Sequence, residues 1–285
     1  MQPRSILFVS PLSERHLAKA VQSGADAIQL DLEDAITPAD KPAARARLGE
    51  AIAGLRRNGA KEVVVRVNEP WLLAIADITA AVEAGADCIT LPKVETAGRV
   101  EVVSDLLDEL EARLELRAHP TRLLILVESA RGLEALPQVL RASPRVAAVT
   151  LGPEDFSKEM GGTTSMAANE WANVAVLAAA RSAGVTPLGF PGSIAIVDDL
   201  ALFRSQIVRA RELGFGGAAV IHPAQVAILN EVFTPTEAEI AWARRIVAAA
   251  RTATAGAFLL DGKLIDAPHI AQAEQLLARV SKLSG

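Results

Sequence analysis

Eight short runs of apolar, largely β-branched residues recur along the 285-residue chain, at 6–9, 27–32, 62–67, 88–91, 123–127, 147–151, 186–190 and 218–221. Each is almost continuously apolar rather than alternating, which is the pattern of a strand covered on both faces in a parallel sheet. The stretches between them have helical periodicity. In one, Leu200, Phe203, Ile207 and Ala210 share a face while Arg204, Arg209 and Arg211 fall elsewhere. Parallel strands need crossover connections, so a strand–helix alternation repeated eight times predicts an α/β fold, a closed (β/α)8 TIM barrel. The junctions repeat too. Ser23-Gly-Ala-Asp26, Asn58-Gly-Ala-Lys61, Ala84-Gly-Ala-Asp87 and Ala183-Gly-Val-Thr186 each end a helix with glycine and open a strand at once.

The length suits two small domains or one large one, and the regular repeat favours one barrel over residues 1–230. Residues 231–285 exceed its needs and read as a C-terminal helical extension. Thr234-Pro-Thr-Glu237 reads as a capping box with proline at the first helical position, starting a helix that runs to about Thr252. A hairpin turning at Asp261-Gly262 follows, then a last helix from near Asp266 or Ala267. Ile240, Ala243, Ile246, Val247 and Ala250 share one face of the first of these helices. That face must bury against something, and a neighbouring subunit is the expected host.

Apolar residues make up 51% of the chain, enough for a sizeable core, yet charges interrupt every stretch long enough for a membrane span. The N-terminus shows no signal-peptide pattern, and a cytoplasmic protein is the reading. Cys88 is the only cysteine, which excludes an intrachain disulfide and a thiolate metal cluster, and its apolar neighbours make it a core residue. A net charge of −5, scattered basic residues and the absence of tyrosine argue against a nucleic-acid binder.

Function in such a barrel sits at the C-terminal strand ends. Those ends carry Ser10, Asp31-Leu-Glu-Asp34, Arg66-Val-Asn68, Pro92-Lys93, Glu128, Gly152-Pro-Glu-Asp155, Gly189-Phe-Pro-Gly192 and His222. There is no Ser–His–Asp arrangement and no glycine-rich phosphate loop. Carboxylates converging on one mouth repel each other unless a cation joins them. Glu128 and Asp155 end consecutive strands, and two hard oxygen donors completed by water and substrate describe a Mg²⁺ or Mn²⁺ site. The competing reading makes Asp155 a helix cap and Glu128 the start of the next helix. Arg66 suits a carboxylate or a developing enolate oxygen, or else pairs with Asp31, Glu33 or Asp34 across the mouth. Lys93 reads as a solvated rim lysine or an anion contact, and His222 as a turn residue or else a catalytic group. His16, His119 and His269 show no ligand spacing.

These residues, in this order, resemble the citrate lyase β-subunit-like family of the HpcH/HpaI aldolase group, whose relatives include malyl-CoA and citramalyl-CoA lyases. The resemblance runs over nearly the whole length. It is carried by Arg4-Ser-Ile-Leu-Phe-Val9, Ser23-Gly-Ala-Asp-Ala-Ile-Gln-Leu-Asp-Leu-Glu-Asp-Ala35, Val65-Arg-Val-Asn68, Leu91-Pro-Lys-Val-Glu95, Val127-Glu-Ser129, Leu151-Gly-Pro-Glu-Asp155, Ile221-His-Pro-Ala-Gln225 and Asp261-Gly-Lys-Leu-Ile-Asp-Ala-Pro268. It implies Mg²⁺ on Glu128 and Asp155, Arg66 on the substrate, Glu33 and Asp34 supporting the metal shell through water, and substrate contacts at Gly152, Pro153 and Glu154. It also implies that Asp266 reaches the active site of a neighbouring subunit in a homotrimer or hexamer; its plainer reading is a cap for the last helix. The implied reaction is Mg²⁺-dependent carbon–carbon cleavage or formation of a citryl-, citramalyl- or malyl-coenzyme A thioester, giving acyl-CoA and a 2-oxo acid. Two departures stand out. Ser10-Pro11-Leu12 replaces a common Pro-Gly, and Gly214-Phe-Gly-Gly-Ala218 lacks the lysine common before Ile-His-Pro. A thioesterase or malate-synthase activity, a CoA-independent class II aldolase and a non-catalytic subunit remain as alternatives.

Overall fold

The computed structural model describes residues 2–115, 120–253 and 255–283, so His119 lies outside the described residues. All eight apolar runs are strands: β1 (Ser5–Val9), β2 (Ala27–Asp31), β3 (Glu62–Arg66), β4 (Cys88–Leu91), β5 (Arg122–Val127), β6 (Val146–Leu151), β7 (Thr186–Leu188) and β8 (Ala218–Val220). They pair in parallel in the order β7-β6-β5-β4-β3-β2-β1-β8. The Gly189 N–H just after β7 donates to the Gly217 carbonyl just before β8 at 2.9 Å, drawing the two ends of the sheet together into the barrel. A Cβ on Gly217 would lie 1.9 Å from the Pro3 carbonyl oxygen, so this approach requires glycine.

The barrel interior follows from side-chain size. One ring takes a residue from every strand: Ile6, Ala27, Val64, Cys88, Leu124, Ala148 and Leu188, with Ala219 packed against them. Odd-numbered strands supply the larger side chain and even-numbered strands the smaller, so bulk and gap alternate around the ring and fill it. Cys88 is part of this ring, and burial pushes its thiol up, as suits an inert core residue. Toward the C-terminal strand ends the interior turns polar, with Thr90 Oγ1 donating to Gln29 Oε1 at 2.9 Å.

Helices cover the outside: α1 (Glu14–Gln22), α2 (Lys41–Ala46), α3 (Leu48–Arg57), α4 (Trp71–Glu83), α5 (Ala97–Arg113), α6 (Ala130–Val139), α7 (Pro153–Glu159), α8 (Met166–Ala183), α9 (Leu200–Leu213) and α10 (Pro223–Phe233). Phe203, Ile207 and Ala210 of α9 are buried as their spacing predicts, whereas Leu200, at its first turn, stays exposed. The ends of the strands opposite the polar interior are tied by ion pairs, Arg4 with Asp26 at 2.7 Å, Arg122 with Glu62 at 2.9 Å, and Arg56 with Asp87. Among the described residues, no helix is long and apolar enough to cross a membrane.

The chain divides into two compact units, Met1–Glu231 and Val232–Gly285. The second contains α11 (Glu237–Thr252), the antiparallel strands β9 (Phe258–Leu260) and β10 (Lys263–Ile265), and α12 (Ala267–Leu283). Its turn has Asp261 at φ +50° and Gly262 at φ +75°, as a two-residue hairpin demands. One expectation needs correction here. The capping box that forms is Thr236 with Glu239, two residues beyond the overlapping Thr234–Glu237 pattern, and both of its reciprocal bonds are made. Part of the apolar face of α11 packs within its own unit. Ala243 and Ile246 pack on Ile265 and Ala273, with Trp242 and Val247 alongside.

Candidate active site

Asp31, the last residue of β2, organises the mouth of the barrel. Its Oδ1 accepts the Glu33 N–H at 3.0 Å and its Oδ2 accepts the Ala35 N–H at 3.1 Å, fixing the turn that follows. The same carboxylate takes Arg66 Nε and Nη2 at 2.7 Å each, so the planar guanidinium is held as a fork. Arg66 Nη1 lies 3.0 Å from Glu33 Oε2 and 3.2 Å from Asp34 Oδ2, and its carbon stands 5.1 Å from the centre of the Phe8 ring. The pairing of Arg66 with Asp31, Glu33 and Asp34 is thus made by all three acids at once. Burial works to lower the pKa of Arg66, but the bonds to Asp31 and the charges of Asp31, Glu33 and Asp34 together outweigh it and the net shift is upward. The turn is braced from outside as well: Asn68 Nδ2 donates to the Leu32 carbonyl at 2.9 Å and to Asp77 of α4 at 2.6 Å.

Glu128 follows β5 directly, one residue before Ser129, which caps α6 by accepting the Gly132 N–H at 3.0 Å. Helix capping therefore falls to Ser129 and leaves the Glu128 carboxylate for the mouth. Its Oε2 accepts the Lys93 N–H at 3.0 Å. Gly152, after β6, lies so near that a Cβ there would come within 2.6 Å of Glu128 Cγ. Gly152 is the N-cap of α7 and makes no side-chain bond; Pro153, Glu154 and Asp155 form the first turn, so Asp155 is not the cap. Glu154 Oε1 accepts from Ser193 at 2.7 Å.

Arg66, Asp31, Asp34, Glu128 and Gly152 through Asp155 all line one cavity of about 940 Å³, a size that suits an extended organic ligand. Glu33 does not line it; it is buried 3.0 Å from Arg66 Nη1 and bonded to Lys93 Nζ at 2.9 Å. Burial first, and then the neighbouring Glu33, push the Glu128 carboxyl up to about 8. Burial likewise raises Glu33. Two hard oxygen donors held together against their own repulsion fit a divalent cation of the Mg²⁺ kind. Among the described residues no three His, Cys, Asp or Glu side chains form a ready ligand set, so water and substrate would complete the shell.

Several positions at or beside the cavity escape sequence reasoning. Arg15, His16 and Lys19 of α1 line the same cavity, so basic residues that look scattered along the chain gather at its wall. The i, i+4 spacing of Arg15 and Lys19 behind the N-cap Ser13 was the available signal. Lys93 is bound to the acids rather than freely solvated. His222 lines the cavity and fixes a turn, its Nδ1 accepting the Ala224 N–H at 3.2 Å. Asp266 stands in the second unit, just before α12, where His269 hydrogen bonds to it and holds its carboxyl below the usual carboxylate range.

The sequence profile of the HpcH/HpaI aldolase/citrate lyase family matches residues 4–223, most of the chain. The chain belongs to the HpcH/HpaI aldolase/citrate lyase family. Its reaction class is that of the family, the making and breaking of carbon–carbon bonds. The L-malyl-CoA/β-methylmalyl-CoA lyase of Cereibacter sphaeroides is 36% identical, across 93% of this chain and 91% of that one. The citrate lyase β subunit of Escherichia coli K12 is 32% identical, across 99% and 94%. Among solved structures, CitE of Mycobacterium tuberculosis in complex with magnesium, acetoacetate and coenzyme A covers 97% of each chain at 28% identity, with a TM-score of 0.75.

Proposed function

We propose that this family member is a Mg²⁺-dependent lyase that cleaves, or in reverse forms, a 3-hydroxyacyl-coenzyme A thioester of the malyl-CoA type, yielding an acyl-CoA and a 2-oxo acid. The observation that carries the reading is the meeting of Glu128 and Asp155, from consecutive strand ends, in the cavity that Arg66 also lines. The greater identity to a malyl-CoA lyase than to a citrate lyase subunit supports the substrate class, and the metal and coenzyme A bound to the similar CitE support the partners.

Glu128 and Asp155 would hold the cation, with Mn²⁺ as a substitute. When bound, it supplies Lewis-acid polarisation of the 2-oxo acid oxygen where charge develops. Arg66, locked by Asp31, offers a preorganised guanidinium to the substrate carboxylate or the enolate oxygen. Glu33 and Asp34 keep that guanidinium in place and would support the shell of the cation through water. Gly152, Pro153 and Glu154 form the substrate wall beside the carboxylates, and Arg15 and Lys19 suit the phosphates of coenzyme A. Asp266, reaching a neighbouring chain in a homotrimer or hexamer, would move the proton at the acyl carbon, as base in condensation and acid in cleavage.

The test is incubation with Mg²⁺ and malyl-, β-methylmalyl-, citramalyl- and citryl-CoA, scoring 2-oxo acid and free thiol separately. Release of 2-oxo acid without thiol, greatest with the malyl thioesters, is expected. Thiol without 2-oxo acid would make the protein a thioesterase instead.

A further inference from the structure

Lys93 follows Pro92 at the end of β4 with φ at +52°, a left-handed conformation that a residue with a Cβ adopts only when its surroundings enforce it. That turn does two things. It aims the Lys93 N–H at Glu128 Oε2, 3.0 Å away. It also brings the side chain back over the mouth, with Nζ 2.9 Å from Glu33 Oε1 and 3.9 Å from Asp155 Oδ2. One residue thus touches carboxylates from three separate strand ends, through its backbone to the first and its ammonium to the other two.

Three acids cannot all ionise in a half-enclosed mouth without a neutralising charge beyond the Arg66 guanidinium, which pairs with Glu33 and with Asp31 and Asp34 beside it. The Lys93 ammonium supplies one where the acids converge, and at 41% exposure its side chain has room to withdraw into solvent. A compact ammonium on a flexible stem suits this part, since it can occupy the place of an ion and leave it. Resting on the metal reading above, we propose that Lys93 is a positioning residue that acts as a resident counterion. Its ammonium holds Glu33 and Asp155 beside Glu128 while no divalent cation is bound, and gives way when one enters. Its left-handed turn keeps the N–H on Glu128 in both states.

The signature is counterintuitive. A residue that merely built the metal site would weaken cation binding when removed. A competing positive charge strengthens binding when removed, by about tenfold or more for charges this close in a partly screened mouth. The experiment is calorimetric titration of the chelator-treated full chain with Mg²⁺ alone, in wild type, Lys93→Met, Lys93→Gly and Lys93→Arg. The glycine variant keeps the turn and its N–H donor while removing the ammonium, so it stands if methionine disturbs the backbone. Tighter binding in Lys93→Gly, with or without the same gain in Lys93→Met, and wild-type affinity in Lys93→Arg is the expected result. Unchanged or weaker binding in Lys93→Gly overturns the counterion role while leaving the metal site intact. Absence of Mg²⁺ binding in the wild type overturns the metal reading, and this inference with it.

Discussion

Glu128 is a buried acid beside other acids, and its titration should report on the cation. Its carboxyl, pushed up to about 8 from an ordinary value of 4.5, holds a proton in the folded chain that it would lose in the unfolded one across that window. The metal-free protein therefore loses stability as pH rises from 4.5 through about 8. Below that upper value Mg²⁺ must displace the proton, so its affinity should climb by roughly tenfold per pH unit and then level off. Calorimetry across pH checks this, and a flat profile would show that Glu128 is ionised without the metal. Glu128→Gln and Asp155→Asn should each abolish Mg²⁺ binding and turnover while circular dichroism stays native. Arg66→Lys should lose activity almost as severely as Arg66→Ala, roughly 10²-fold or more, because an ammonium cannot reproduce the two-bond fork on Asp31. Near-normal turnover in the lysine variant would show that charge is all that counts. That Glu128, Asp155 and Arg66 come to one mouth was legible because charged residues at or just beyond the end of an apolar strand are conspicuous. Lys93 was not, since whether a rim lysine faces water or the acids turns on a single backbone angle.

The strands were legible to within a residue or two. Continuous apolar runs fixed the strands, and glycines such as Gly24 and Gly85, both at positive φ, ended the helices before them. Where two local patterns overlapped the sequence was ambiguous: Thr-Pro-Thr offers two capping boxes, and only the one completed by Glu239 forms. The alternation of large and small side chains around the interior ring was invisible too, because it relates residues far apart in the chain. It makes a direct prediction for the strands. Ala148→Leu on β6 puts bulk where the neighbouring strands already supply Leu124 and Leu188, and should destabilise the barrel by about 1–3 kcal/mol in denaturant unfolding. A variant as stable as wild type would mean that the ring has slack.

At the scale of the whole molecule, Asp266 of the second unit is proposed to act at the barrel mouth of a neighbouring chain. Ala243, Ile246 and Val247 of α11 pack on its own hairpin and α12, and the case for a shared site rests on Asp266, which an alternation of apolar residues could never have revealed. Mixing inactive Asp266→Asn chains with inactive Glu128→Gln chains should restore part of the activity, because some mouths then receive both intact residues. No recovery despite demonstrated subunit exchange would confine Asp266 to its own chain or remove it from the reaction. The interior ring has one further bearing, on how such a chain tolerates change in length. Deleting or adding a single residue within a strand would turn its small inward side chain outward and break the alternation with both neighbours. A loop beyond the strand end meets no such constraint. Inherited insertions and deletions should therefore collect in the loops around the mouth, where they alter what the protein accepts, and be purged from the staves that hold it.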